Sequence, residues 1–306
     1  MRSKIVFVYS PQYCVDIGAH VFRTEKYRLV AERIAAQCGI PLEEMLAPQP
    51  ASQNDLRRAL DPRYLQDMKE RRWTGRTASS ELPITREIIE GAFLCAGGTL
   101  LAARKALEIG GVGFHVGGGW HHAFADHAEG FCYVNDVAVA ILALKDEGAV
   151  ERVLVVDCDL HQGNGTARYF QSDPSVFTFS IHQERLYPIK GKSDLDIGLD
   201  DYAGDEEYLE PLASAIPRLY DSHKPQIVFY LAGADPFEHD QLGALRLTKS
   251  GLRRRDEQVI RSAAERKIPL VVVLAGGYAV DLRDTVDIHV SAAEVALECA
   301  ALYRAD

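Results

Sequence analysis

Six short runs of apolar, largely β-branched residues recur along the chain, and most of them lack the polar alternation of a half-exposed strand. Such runs are typical of strands that are buried on both faces of a sheet. Helix-like stretches separate them, and this alternation indicates a mostly parallel sheet with helices on both faces, an α/β fold. The predicted strands are Ile5–Tyr9, Val112–Val116, Val153–Val156, Val176–Ile181, Ile227–Ala232 and Leu270–Ala275.

The helix-like stretches have recognisable ends. Gly39 follows the first long stretch as a C-terminal cap does, and Ser52–Asp55 has the spacing of a capping box. Gly97–Gly98 lies inside the longest stretch, where it could interrupt the helix, and the polar segment Arg71–Ser80 is predicted to be a loop. The main predicted helices are Thr24–Gln37, Thr85–Glu108, Val137–Glu147, Glu206–Tyr220, Gly251–Lys267 and Ala292–Arg304.

Length and composition narrow the class of protein. The 306 residues show no repeat, low-complexity tract or linker, so we expect a single domain over residues 1–306. The formal net charge of −10 argues against direct nucleic-acid binding, and no apolar run approaches the ~18 residues that span a membrane. The six cysteines form no C-x-x-C pair and the amino terminus has no signal-peptide pattern, so a reduced, cytoplasmic protein is expected.

Chemically active residues follow five of the predicted strands at the point where each strand ends. Ligands bind beyond the carboxyl ends of the strands in an open parallel sheet. Each motif in isolation also fits a turn or a packing role, but five at one edge favour an active site. The residues in question are His121–His122 after three glycines and Trp120, Asp157–His161, His182, Asp235 and Gly276–Tyr278.

Three of these residues could hold a metal ion. Asp159 and His161 are two residues apart, so in an extended chain their side chains point the same way. Asp235 from another strand would complete a three-ligand site, and three protein ligands plus a water is the pattern of catalytic zinc. Two oxygen ligands and one nitrogen are harder than most zinc sites, so Fe(II) or Mn(II) remains an alternative in the cell.

The remaining strand-end residues suit acid–base chemistry beside such an ion. His121 and His122 could each present a ring nitrogen to a metal-bound water if a partner orients each ring. Asp157 is the expected partner of His121, and Asn164 is the expected partner of His122. The phenol of Tyr278 could donate a hydrogen bond to a developing oxyanion.

The ordered set of motifs resembles the zinc-dependent histone deacetylase family of the arginase–deacetylase fold. The HQGNG wording, the H-x-F-x-x-x-K pattern from His20 and the compact length are most similar to class IV members and their bacterial relatives. The matching segments are GGGWHH (117–122), EGFCYVND (129–136), DCDLHQGNGT (157–166), FSIH (179–182), GADP (233–236), DQLG (240–243) and AGGY (275–278).

The resemblance implies hydrolysis of an acyl amide, with an acyl-lysine peptide or protein as the expected substrate. It also implies a role for each matching residue. It assigns zinc to Asp159, His161 and Asp235; catalysis to His121, His122, Asp157, Asn164 and Tyr278; the acyl-lysine tunnel to Gly130, Phe131, His182 and Tyr187; and a potassium ion to Asp157, Asp159, His161, Ser180 and Ile181.

Two positions depart from the family pattern. Many relatives have aspartate where this chain has Asn164, and an amide orients an imidazole without stabilising its cation. We therefore expect His122 to be neutral more often at pH 7, ready to act as a base. Leu60 stands where relatives often carry histidine, and nothing in the sequence explains its effect.

The same residues bear on three other functions. A small acylated amine such as an acetylpolyamine would also suit a narrow tunnel that leads to zinc. A dinuclear ureohydrolase needs further carboxylates, but Gly163 and Phe237 occupy the positions where such ligands would be required. A non-catalytic acyl-lysine binder is expected to have lost a ligand, a histidine or the tyrosine, and all of them are present.

Overall fold

The computed structural model describes residues 4–304, and a sheet of seven parallel strands forms its centre. The strand order β1-β2-β7-β6-β3-β4-β5 places β6 and β3 in the interior of the sheet. The prediction of a mostly parallel α/β sheet is confirmed. The strands are β1 (Ile5–Val8), β2 (Val112–His115), β3 (Val153–Asp157), β4 (Val176–Gln183), β5 (Leu195–Leu199), β6 (Ile227–Leu231) and β7 (Leu270–Val273).

Ten α-helices accompany the sheet within residues 4–304. Short 3-10 helices add turns at Pro11–Tyr13, Leu42–Glu44 and Ala301–Arg304. The α-helices are α1 (Glu25–Cys38), α2 (Gln53–Ala59), α3 (Pro62–Lys69), α4 (Gly75–Ala78), α5 (Arg86–Ile109), α6 (Asp136–Asp146), α7 (Asn164–Phe170), α8 (Asp205–His223), α9 (Lys249–Glu265) and α10 (Leu282–Ala300).

Alternate strand residues contribute to two apolar layers, one on each face of the sheet. Val155 and Phe229 belong to the layer that α5 and α6 cover. Leu154 and Val228, their chain neighbours, belong to the layer that α1, α8, α9 and α10 cover. Because successive strand side chains point to opposite faces, the uninterrupted apolar runs of the sequence serve both layers.

Strand β5 was not predicted, and its position explains why. It pairs with β4 alone and forms one edge of the sheet. Only Leu199 of its five residues is buried, so the segment lacks the apolar run that marks the interior strands.

Helix α5 runs without a break through Gly97 and Gly98, where an interruption was considered. A Cβ atom at Gly97 would lie 1.9 Å from the carbonyl oxygen of Gln49, and one at Gly98 would lie 2.4 Å from His115 Nε2. The two glycines therefore allow neighbouring segments to approach the helix backbone closely.

Other helix boundaries differ from the sequence prediction. Helix α10 begins at Leu282, ten residues before the predicted Ala292, and the Asp281 side chain accepts a hydrogen bond from the Arg283 N–H at its start. The predicted loop Arg71–Ser80 contains the one-turn helix α4, and the short helices α3 and α7 were not predicted.

Two further expectations concern the whole described chain. Between residues 4 and 304, no helix combines the length and the apolar character needed to traverse a bilayer. All six cysteines are free, four of them buried.

Candidate active site

The predicted metal ligands converge where β3 and β6 end. Asp159, His161 and Asp235 are buried, and one candidate ligand atom from each lies within 4.8 Å of the others. His161 Nδ1 lies 3.2 Å from Asp159 Oδ1 and 3.4 Å from Asp235 Oδ2. Two carboxylates and one imidazole thus face a common point.

The surroundings of this triad suit a divalent cation. Asp235 Oδ2 is buried without a hydrogen-bond partner, a costly state for a carboxylate oxygen unless it binds an ion. The Leu160 N–H donates to Asp235 Oδ1 over 3.0 Å, and the Gly276 N–H donates to Asp159 Oδ2 over 2.8 Å. A Cβ at Gly276 would lie 2.0 Å from Asp235 Oδ2, so glycine keeps the space beside the triad clear.

His121 has the carboxylate partner that was expected. Its Nδ1 lies 2.6 Å from Asp157 Oδ2, and both side chains are buried. Burial alone would lower the pKa of His121, but the charges of Asp157 and Asp159 outweigh burial and raise that pKa to about 9. The ring is therefore suited to hold a proton beside the triad.

His122 has the amide partner that was expected, and its surroundings lower its pKa, whereas those of His121 raise the pKa of that ring. The His122 Nδ1 donates to Asn164 Oδ1 over 2.8 Å, and its Nε2 lies 3.1 Å from His121 Nε2. Burial and the charges of His121 and His161 hold the pKa of His122 well below its usual value. One histidine of the pair thus favours the cation and the other the neutral ring.

Tyr278 follows β7, and two residues of the DQLG segment hold its backbone. Its N–H donates to Asp240 Oδ2 over 2.7 Å, and Gln241 Nε2 donates to its carbonyl oxygen over 2.7 Å. Desolvation and the charges of Asp235 and Asp159 raise the pKa of Tyr278 well above its usual range. Its hydroxyl keeps its proton and can donate a hydrogen bond.

A cavity of about 250 Å³ leads to the histidines and the tyrosine. The Phe131 ring lies 5.9 Å from the Tyr278 ring on one side, and the Tyr187 ring lies 5.2 Å from the His122 ring on the other. Of the four residues assigned to the tunnel, Gly130, Phe131 and Tyr187 are at this cavity. Its lining consists of Glu81, His122, Gly130, Phe131, His161, Leu186, Tyr187, Leu242 and Tyr278.

The fourth assigned tunnel residue, His182, lies elsewhere, and this corrects the prediction. It is buried on β4 and is not part of the cavity lining. Its Nδ1 is 2.8 Å from the hydroxyl of Ser180, because residues two apart on a strand share a face. Ser180 is in register with Asp157, whereas the potassium site expected at Ser180 and Ile181 remains a prediction.

Arg255 supports the loops of the Asp159–His161–Asp235 triad, and the sequence motifs did not include it. Its fully buried Nη1 donates to the carbonyl oxygens of Cys158 (3.2 Å) and Gly233 (2.5 Å), in the loops that carry Asp159 and Asp235. Its Nε and Nη2 donate to Asp256 Oδ1 over 3.0 and 2.7 Å. A charged residue on an amphipathic helix usually faces solvent, so its local sequence gave no signal of this role.

Lys26 and Asp136 also support the site without having been assigned to it. The fully buried Lys26 Nζ donates to the carbonyl oxygen of Ala275 over 2.8 Å and lies 5.8 Å from the Tyr278 ring centre. Asp136 accepts hydrogen bonds from the Gly119 and Trp120 N–H groups, just before the histidine pair. Only their presence in the H-x-F-x-x-x-K and EGFCYVND segments pointed to them.

Comparison with known proteins agrees with this geometry. A family model described as the histone deacetylase domain matches residues 20–293. An uncharacterised protein of Picosynechococcus is 37% identical over 285 residues, covering 92% of this chain and 95% of that protein. Histone deacetylase 2 of Arabidopsis thaliana is 28% identical over 291 residues, covering 90% and 75%. The acetoin utilization protein AcuC of Bacillus subtilis is 29% identical over 275 residues, covering 81% and 70%.

The fold has a counterpart among solved structures. The crystal structure of an HDA15 HD domain superposes with a TM-score of 0.80 and covers 97% of this chain and 88% of that one. Its sequence identity of 22% makes this a likeness of fold. The family match over most of the chain goes further: the protein belongs to the histone deacetylase family and is a hydrolase that acts on amides.

Proposed function

We propose that this chain is a single catalytic domain that hydrolyses Nε-acyl-lysine in peptides or proteins with a zinc ion. The observation that carries the proposal is that one cavity is lined by a member of each of three groups, namely His161, His122 and Tyr278. The three groups are the buried Asp159–His161–Asp235 triad, the histidine pair, whose two pKa values are shifted in opposite directions, and the Tyr278 phenol.

The metal and the side chains have separate tasks. A divalent cation held by Asp159, His161 and Asp235 would lower the pKa of a water molecule and polarise an acyl carbonyl. His122 accepts the proton of the attacking water at Nε2, because its Nδ1 already donates to Asn164. Tyr278 donates a hydrogen bond to the carbonyl oxygen as that oxygen gains negative charge. The C–N bond then breaks, and the histidine pair protonates the departing amine, which leaves a carboxylate and an amine.

The cavity favours an acyl amide at the end of a long aliphatic stem. Phe131, Leu186, Tyr187 and Leu242 supply apolar wall, and His122 and Tyr278 line the same cavity with polar groups. A lysine side chain has four methylene groups to cover this wall. The deacetylase name of the Arabidopsis relative supports the same substrate class.

A second substrate class is favoured by two carboxylates. Glu81 lines the cavity with its side chain exposed, and Glu129 accepts a hydrogen bond from the cavity residue Tyr187. Negative charge in and beside the cavity would attract a cationic amine, so acetylated polyamines are the alternative substrate.

Turnover of a small substrate panel tests the proposal. Zinc-loaded protein would be assayed with an acetyl-lysine peptide, a long-chain acyl-lysine peptide and an acetylated polyamine, with Asp159→Ala as the metal-site control. We expect turnover of at least one acyl-lysine peptide by the wild type and none by the control. Turnover of the acetylated polyamine alone would show that small acylated amines are the substrate class. Absence of turnover by a protein with bound zinc would contradict both and favour an acyl-lysine binder.

A further inference from the structure

The amide of Asn164 has two possible orientations, and its neighbours permit only one. The Gly165 N–H donates over 3.0 Å to the atom on one side, which must therefore be Oδ1. Glu129 Oε1 lies 2.7 Å from the atom on the other side, and a carboxylate can only accept, so that atom must be Nδ2. Two independent contacts thus fix the amide.

The orientation of this amide determines which nitrogen of His122 carries the proton. Asn164 Oδ1 faces His122 Nδ1 over 2.8 Å and can only accept, so the hydrogen is on Nδ1. In the neutral ring the lone pair is then on Nε2, the nitrogen that faces His121. A reversed amide would place an N–H against Nδ1 and favour the wrong tautomer.

Hydrogen bonds from its backbone and to its side chain hold Glu129 in place, so its carboxylate can fix the amide of Asn164. The Glu129 backbone N–H donates to the Cys132 carbonyl over 3.1 Å, and the Cys132 N–H donates back over 2.8 Å. The Tyr187 hydroxyl donates over 3.1 Å to the same Oε1 that accepts from Asn164. The Glu129 side chain is only 24% exposed. The carboxylate therefore connects the cavity wall to the amide behind His122.

We propose that Glu129 is a positioning residue that acts through Asn164 to hold His122 in its Nδ1–H tautomer. The proposal rests on the proposed function, and it accounts for asparagine at position 164. Many relatives carry a carboxylate at position 164 itself. Here position 164 carries an amide, and the carboxylate lies one hydrogen bond further from His122, on Glu129. An aspartate at 164 would place two carboxylates within hydrogen-bond distance of each other, so the residues at 129 and 164 must match.

Three substitutions at Glu129 and Asn164 test this match by kcat and KM on the best substrate of the panel. Glu129→Ala should lower kcat about 10-fold, part of the 10²–10⁴ that a general base supplies, whereas Glu129→Gln keeps an acceptor and should lose less. Asn164→Asp should lower kcat in the wild-type background. Adding Glu129→Gln to it should restore at least about 5-fold, because a glutamine N–H can donate to the new carboxylate.

A control and a spectrum separate positioning from a general effect of charge. Asp146 is an exposed carboxylate at the end of α6 that pairs with Arg58 and is not in contact with Glu129, so Asp146→Ala should leave kcat within about 2-fold. Two-bond ¹H–¹⁵N correlation of histidine rings reports the tautomer directly. The wild type should show His122 protonated at Nδ1, and Glu129→Ala should show a mixture, in zinc-loaded and metal-free protein alike.

The spectrum needs no substrate, so it remains decisive even if the whole panel fails and the proposed function falls. An unchanged Nδ1–H pattern in Glu129→Ala would overturn the proposal. So would equal losses of kcat from Asn164→Asp with and without Glu129→Gln.

Discussion

The carboxylate of Asp240 accepts a 2.7 Å hydrogen bond from the backbone N–H of Tyr278. A second bond from the Leu242 N–H to Asp240 Oδ1, 2.9 Å long, fixes the carboxylate itself. The side chain of Asp240, 38 residues away in the sequence, therefore fixes the position of the backbone that carries the phenol.

This contact predicts the effect of Asp240→Ala. Loss of the anchor should displace the phenol and lower kcat about 10-fold, less than the ~10²–10³ expected when an oxyanion donor is removed. Asp240→Asn keeps one acceptor oxygen and should lose less. Metal content should be unchanged in both variants. A variant with wild-type kcat would show that the phenol is positioned without Asp240.

Arg255→Met should weaken metal binding without touching a ligand. The two loops that carry Asp159 and Asp235 would lose their shared donor, and residues that support metal ligands typically contribute 10–100-fold in affinity. Chelator competition measures this directly. The variant should also lose about 3–5 kcal/mol of stability, because Asp256 would be left as an unpaired buried charge.

A double substitution separates the two effects of Arg255. Arg255→Met with Asp256→Asn removes both charges and should recover part of the stability while metal affinity stays low. Wild-type affinity in the double variant would mean that Arg255 affects the metal only through global stability.

The candidate metal ligands and the histidine pair could be grouped from the sequence because they follow apolar strands. Parallel strands bring such residues to one edge, so Asp159, His161 and Asp235 could be grouped before any coordinates were known. Arg255 and Lys26 could not be found this way. They lie on helices: Arg255 is 97 and 22 residues from the two carbonyl groups that it binds, and Lys26 is 249 residues from its own, so only the packed fold brings them there.

Two other differences between the sequence prediction and the structure, at strand β5 and at His182, also have physical causes. Strand β5 was missed because an edge strand needs no apolar run. His182 was expected at the strand edge because it follows an apolar run, and the resemblance assigned it to the tunnel, yet β4 continues to Gln183 and its ring contacts Ser180.

The close approach at Gly97 predicts a stability effect within helix α5. Gly97→Ala would place a Cβ 1.9 Å from the Gln49 carbonyl oxygen and should cost about 1–3 kcal/mol. Gly91→Ala on the same helix is the matched control, because its Cβ would meet a methyl group of Val15 at 3.3 Å and the Gln12 carbonyl oxygen at 3.9 Å. Denaturant unfolding of the two variants compares them, and equal stabilities would contradict the packing described here.

Lys26 predicts a pH dependence of stability for the metal-free protein. Burial lowers its pKa from 10.5 to about 8, although the charges of Asp235, Asp159 and Asp240 oppose this. Between pH 8 and 10.5 the folded chain has released this proton while the unfolded chain still holds it. The contribution of Lys26 to the free energy of unfolding therefore rises with pH, by about 3 kcal/mol in total.

The comparison with Lys26→Met isolates this contribution from other titrating groups. The free energy of unfolding of the wild type minus that of the variant should increase across the pH range 8 to 10.5. A difference that stays constant would show that Lys26 has the same protonation in the folded and unfolded chains.

The most direct test of the account is the turnover of an acyl-lysine peptide by Tyr278→Phe, measured beside its zinc content. The substitution removes one oxygen atom and leaves the triad, the histidine pair and the phenyl ring. We expect zinc content equal to that of the wild type and kcat lower by about 10²–10³. Near-wild-type kcat with zinc bound would contradict the assignment of Tyr278, and with it the account of how this site hydrolyses an amide.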